Sequence, residues 1–179
     1  MRTRPFPETV AQWRGHIDHD LLADYAEGIA RVYNEALLVV ESNTLESENM
    51  ETSAESVLGR MSRSYNRLYC RQAGSDEGSV GSFMRPGFHT NRATKAAMID
   101  HLIAAVRSGG YIEHDAEACN ELASYSCLPN GSYAARRGKH DDILMTRAIA
   151  LYVLDTDYTP RREFRAEDIR RAMNHSSLF

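Results

Sequence analysis

From Ile143 to Leu154 only Thr146 and Arg147 interrupt an apolar run, and Gly138-Lys139-His140-Asp141-Asp142 leads into it. The pattern predicts a buried helix from Lys139 to Leu154, because a helix that is apolar on nearly all sides is stable only when covered. A glycine turn delivers an imidazole and two adjacent carboxylates to its start, where free N–H groups and the helix dipole favour negative charge. Capping needs only one acidic residue. Two carboxylates packed together repel, and such pairs mark places where a cation is expected. His140, Asp141 and Asp142 are therefore candidate site residues, the two aspartates as metal ligands.

The second acidic signal lies far upstream. Leu37-Leu38-Val39-Val40 has no polar alternation, which is how a central parallel strand covered on both faces reads, and it ends in Glu41-Ser42-Asn43. Ligand sites in open α/β sheets sit at the carboxyl ends of strands, where this places Glu41. A carboxylate at a strand end and a pair at a helix start are what a two-metal phosphodiester-cleaving site requires, provided the fold joins them.

The intervening sequence predicts an α/β layer fold. Val10 to Ile17 alternates as a half-buried strand does. Asp20 is placed to cap a helix through Asn34, with Leu21, Leu22, Tyr25, Ile29, Val32 and Tyr33 at helical spacing. A helix over Ser56 to Tyr65 leads to a strand at Arg67 to Arg71, and the glycine-rich stretch Ala73 to Gly87 reads as a mobile loop. Asn91 or Thr94 can cap a helix that Gly109-Gly110 stops. A helix over Ala116 to Ala123 precedes strands near Tyr125 to Leu128 and Tyr133 to Ala135, around the turn Pro129-Asn130-Gly131.

At 179 residues, 42% hydrophobic and 26% charged, the chain has the size and balance of one globular domain. Its net charge of −4 is unevenly spread: residues 1–60 hold 11 acidic and 5 basic side chains, and the remainder 14 and 16. A local basic surface in the second half is compatible with a nucleic-acid partner. Three cysteines in no metal-site spacing, and no membrane-length apolar run, fit a soluble cytoplasmic protein. His16-Ile17-Asp18-His19-Asp20 has no recognised metal-ligand spacing and reads as a strand end followed by a helix cap. The glycines between 74 and 87 fit no phosphate-binding fingerprint.

Five blocks carry a family resemblance. They are Val10 to Asp18, Tyr33 to Asn43, Tyr65 to Arg71, Gly87 to Lys95, and Gly131 to Ala150 around His140-Asp141-Asp142. In this order they resemble the C-terminal nuclease domain of the phage terminase large subunit, over most of residues 8 to 154. The resemblance implies a ribonuclease-H-like α/β fold: a mixed sheet with helices on both faces, here N-terminally incomplete. Residues 1–159 would form the partial nuclease-like domain and 160–179 an arginine-rich tail. In the family a first aspartate-bearing strand and an ATPase domain precede the matched blocks.

The resemblance further implies cleavage of double-stranded DNA with two Mg2+ or Mn2+ ions. Glu41, Asp141 and Asp142 would hold metal, and His140 would orient water or phosphate. Arg92, Lys95, Arg136, Arg137 and Lys139 would contact the DNA backbone without base specificity. The implied partners are the ATPase domain in cis, the portal and the terminase small subunit, in the cytoplasm of a bacterial host. An incomplete acidic set would bind metal weakly. Two alternatives remain open: a noncatalytic DNA-binding or docking module, and an unrelated metal hydrolase using His16 and His19.

Overall fold

The computed structural model describes residues 6–43, 57–73, 83–128, 131–136, 138 and 140–157. Among them the elements are α1 (His19–Val32), α2 (Val57–Ser64), β1 (Cys70–Ala73), β2 (Phe83–Pro86), α3 (Arg92–Arg107), α4 (Ala116–Ser124), β3 (Tyr125–Cys127), β4 (Tyr133–Ala135) and α5 (Asp142–Thr156). The class is mixed α/β. The strands form two antiparallel pairs, β1 with β2 and β3 with β4.

The core lies between α3 and α5. Met98, Ile99 and Leu102 of α3 meet Leu144, Ala148 and Ile149 of α5, with Phe88 beside them, all buried. Each large side chain so buried contributes about 2 kcal/mol. The start of α3 is set locally: Asn91 Oδ1 accepts from Ala93 N at 2.9 Å and Thr94 N at 3.0 Å, while Thr94 Oγ1 accepts from Asn91 N at 2.8 Å. This is a reciprocal capping box. The helix stops at Ser108, and Gly109 turns the chain with φ +62°. Along α5, Asp142, Thr146, Ala150 and Leu154 fall four residues apart and form its exposed stripe.

The segment from Leu37 to Glu41 is half-buried up to Val40 and pairs along one edge only. Leu38 exchanges bonds with Arg67 O and Tyr69 N, both 2.9 Å. Further on, Phe88 N donates to Val40 O at 2.7 Å and Phe88 O accepts from Ser42 N at 2.8 Å. Both bridges are parallel, and the β1–β2 hairpin leaves the ladder between them. Gly87 makes the return possible. Its φ is +84°, and a Cβ there would stand 3.0 Å from Val40 O. Leu37, Val39 and Glu41 turn their N–H and C=O groups to the opposite edge, where no described residue bonds to them.

Several expectations need correction. Val10 to Ile17 is no strand: the chain is irregular there, with Val10 and Trp13 exposed. Pairing occurs one step earlier, where Ile112 N donates to Pro7 O and Thr9 N to Ile112 O. Alternation supplies two faces but no partner strand, and without one a strand cannot form. The α1 helix begins after Asp18 and ends at Val32, because Asn34 and Glu35 adopt left-handed conformations. Its predicted apolar face is the wrong one. Leu21, Tyr25, Ile29, Val32 and Tyr33 are exposed, while Ala23, Glu27 and Ala30 are buried. The helix packs on α2, where Glu27 accepts bonds from Ser64 Oγ and from Arg31 Nη2, and small alanines allow close approach. Among the described residues Leu37 to Glu41 pairs on one edge only, through two isolated bridges, and is not the doubly covered central strand expected.

Within Ala73 to Gly87, Ala73 ends β1, residues 83–86 form β2 and Gly87 follows it, while residues 74–82 of that predicted loop lie outside the described residues. So do the turn residues Pro129 and Asn130, and the tail 160–179. No described helix is long and apolar enough to cross a membrane.

Candidate functional site

The exposed stripe of α5 and the end of the Leu37–Glu41 segment enclose a cavity of about 370 Å³, lined by Val39, Glu41, Asp142, Met145, Thr146, Ile149 and Ala150. Its floor is apolar and two carboxylates stand at its margin. Glu41 is carried there by the parallel bridge to Phe88, and Asp142 by being the first residue of α5. The two strongest acidic signals of the sequence thus share one cavity.

The start of α5 explains why Asp142 is free to face it. Asp141 occupies the cap position but makes no side-chain bond to the helix. The cap comes from α4: Glu121, 7% exposed, accepts from Leu144 N at 2.8 Å. A charged acceptor from a neighbouring element satisfies the third N–H of the helix, so neither consecutive aspartate is consumed in capping. The side chain of Asp142 is 72% exposed.

Cations face both aspartates. Lys95 Nζ lies 3.8 Å from Asp141 Oδ2 and 6.0 Å from the centre of the Tyr125 ring. Burial pushes the Tyr125 hydroxyl above its ordinary pKa; Lys95 opposes that shift and Asp141 adds to it. Arg14 Nη2 lies 3.6 Å from Asp142 Oδ2, and its Nη1 donates to Glu117 Oε1 at 2.7 Å.

Behind this front a partly buried ion pair fixes α5. Arg147 Nε donates to Glu113 Oε2 at 2.9 Å, with side chains 12% and 6% exposed. Tyr111 OH also donates to Glu113, Thr9 Oγ1 lies 2.8 Å from Tyr111 OH, and Arg147 Nη2 donates to Gln12 Oε1. Burial alone would raise the Glu113 pKa; bonds from Tyr111, Arg147 and the Asp115 N–H, with the Arg147 charge, outweigh it and hold it at about 2. Burial and the bond to Glu113 push Tyr111 up to about 12. The network fastens the 9–12 segment to α5, which keeps Arg14 near Asp142.

The other predicted residues are dispersed. Asp141 is turned to Lys95 and does not line the cavity. His140 is exposed ahead of α5, Arg92 is exposed at the first position of α3, and Arg136 is exposed just after β4. Arg137 and Lys139 lie outside the described residues, as does the side chain of His19; His16 is exposed. Among the described residues no three His, Cys, Asp or Glu side chains converge closely enough to hold a metal ion, so Glu41 and Asp142 stand as a pair. Sequence reasoning missed Glu121 and Arg14. Glu121 carried one usable signal, a carboxylate three positions after buried Ala118 on the same helix face; Arg14 carried none. No known protein-family model matches the sequence, and no curated protein matches it.

Proposed function

We propose that this chain contributes a metal-dependent centre for phosphodiester hydrolysis in double-stranded DNA, the activity of a terminase nuclease domain with a ribonuclease-H-like fold. One observation carries the reading: Glu41 and Asp142, from distant parts of the chain, line one cavity, and Asp142 is relieved of capping by Glu121. The donor chemistry fits magnesium or manganese, hard ions that take one or two carboxylates and keep other positions for water and phosphate oxygens. Such an ion, when bound, acidifies water and neutralises charge developing on phosphate.

The chain's own residues supply the rest. Glu41 and Asp142 would hold the ion, while Asp141 faces Lys95 outside the cavity lining. Lys95, Arg92 and Arg136 grip backbone phosphates without reading bases. The edge at Val39 and Glu41, to which no described residue bonds, adjoins the cavity, and a further carboxylate-bearing strand paired there would complete the ligand set. Glu41→Ala and Asp142→Ala are each expected to weaken Mn2+ binding, read by electron paramagnetic resonance, by about tenfold or more, and to abolish plasmid nicking. Unchanged Mn2+ affinity in both variants refutes the reading.

A second reading, a noncatalytic DNA-binding module, draws on the cations already facing Asp141 and Asp142. It is favoured instead if duplex binding is tight and indifferent to Mn2+.

A further inference from the structure

Each of the two consecutive carboxylates at the start of α5 faces a cation from another part of the chain. Lys95 is carried by α3 and half enclosed, with its ammonium near both Asp141 and the Tyr125 ring. Arg14 differs. It comes from the irregular 9–18 segment, which is tied down at Thr9 and Gln12 but has no strand or helix of its own. Its guanidinium has two unequal contacts: 2.7 Å to Glu117 and 3.6 Å to Asp142.

The inequality matters. A charge-assisted N–H···O bond closes at about 2.8 Å, so Glu117 is the anchor and Asp142 a looser neighbour. A planar guanidinium with five donors can hold one carboxylate while another arm is exchanged. Both contacts are solvent-exposed, the Arg14 side chain at 46% and that of Asp142 at 72%, so the contact to Asp142 is readily exchanged. Asp142 also lines the cavity with Glu41, so an entering divalent cation would compete with Arg14 for the same carboxylate.

We infer that Arg14 is the exchangeable counter-ion of Asp142: it neutralises this carboxylate until a divalent cation enters beside Glu41, and its released arm then binds a backbone phosphate of nucleic acid. The inference rests on the proposed reading of the cavity. It gives Arg14 two effects of opposite sign, opposing cation binding and supporting phosphate binding. A surface ion pair with a purely structural role would not support phosphate binding.

The test compares the full chain with Arg14→Gln and Arg14→Lys, each checked for folding by circular dichroism. Mn2+ alone is titrated by electron paramagnetic resonance. A short blunt DNA duplex is then titrated over a salt series with Ca2+ present, which fills the cavity without supporting cleavage. Arg14→Gln is expected to tighten Mn2+ binding about three- to fivefold, the scale of one exposed ion pair. It is also expected to weaken duplex binding, with the slope of log affinity against log salt smaller by about one phosphate contact. Arg14→Lys keeps the charge and is expected to stay near the parent in both.

Mn2+ affinity that is equal or weaker in Arg14→Gln overturns the inference and leaves the metal reading standing. Tighter Mn2+ binding with an unchanged salt slope overturns the phosphate half. Absence of Mn2+ binding in both the parent and Arg14→Gln overturns the inference and the proposed function together.

Discussion

Glu121→Ala is expected to destabilise the protein far more than Asp142→Ala, although Asp142 is the acidic residue in the first turn of α5. Glu121 is buried and its Oε2 accepts from Leu144 N at 2.8 Å. Truncation leaves that N–H buried without a partner, at a cost of about 1–3 kcal/mol, and removes a negative charge at the positive end of a helix dipole, about 0.3–1 kcal/mol. The sum is about 1–4 kcal/mol. For a domain of this size 1 kcal/mol moves the melting temperature by about 2–4 °C, so a fall of about 3–16 °C is expected. Asp142 bonds to no helix N–H, is 72% exposed, and sits beside Asp141, whose repulsion its loss relieves. Its replacement is expected to stay within about 1 kcal/mol. Urea denaturation followed by far-UV circular dichroism reads both variants, with unchanged m values confirming that only stability moved. If Asp142→Ala costs as much as Glu121→Ala, the aspartates are structural caps and the case for a free carboxylate at the cavity collapses.

The remaining predictions concern the supports of the site. Glu113 is held at about 2 in the folded protein against 4.5 in the unfolded chain, so the charged form favours folding. That stability is present above pH 4.5 and lost as pH falls from 4.5 towards 2, a change of about 3 kcal/mol. Glu113→Gln should flatten this acid limb in a pH series of urea melts, and an unaltered limb would refute the assignment. Gly87→Ala combines a left-handed φ with a Cβ 3.0 Å from Val40 O, whereas Gly131→Ala meets a left-handed φ of +77° with nothing within 4 Å. The first should cost at least about 2 kcal/mol and the second about 1 kcal/mol; equal costs in chemical denaturation would show that the approach of Gly87 to the Glu41 segment is slack.

What the sequence alone determined was whatever depends on near neighbours. The helix start at Asn91 or Thr94, the stop at Gly109 and the helix from Ala116 follow from contacts within a few residues, and the apolar run from Ile143 marks α5 as a helix that must be covered without saying by what. The acidic signals at Glu41 and Asp142 were legible in the same way, because a strand end and a helix start are local events. Tertiary structure decided which faces find partners. Val10 to Ile17 has the alternation of a strand and remains irregular, since periodicity cannot supply the neighbouring backbone that a strand must bond. The α1 stripe Leu21, Tyr25 and Ile29 has helical spacing and stays exposed, since α2 seats on Ala23, Glu27 and Ala30 instead. Glu121 caps a helix more than twenty positions away and Arg14 reaches Asp142 across most of the chain. Such bonds depend on distance in space, which residue order constrains only through the packing of every element between.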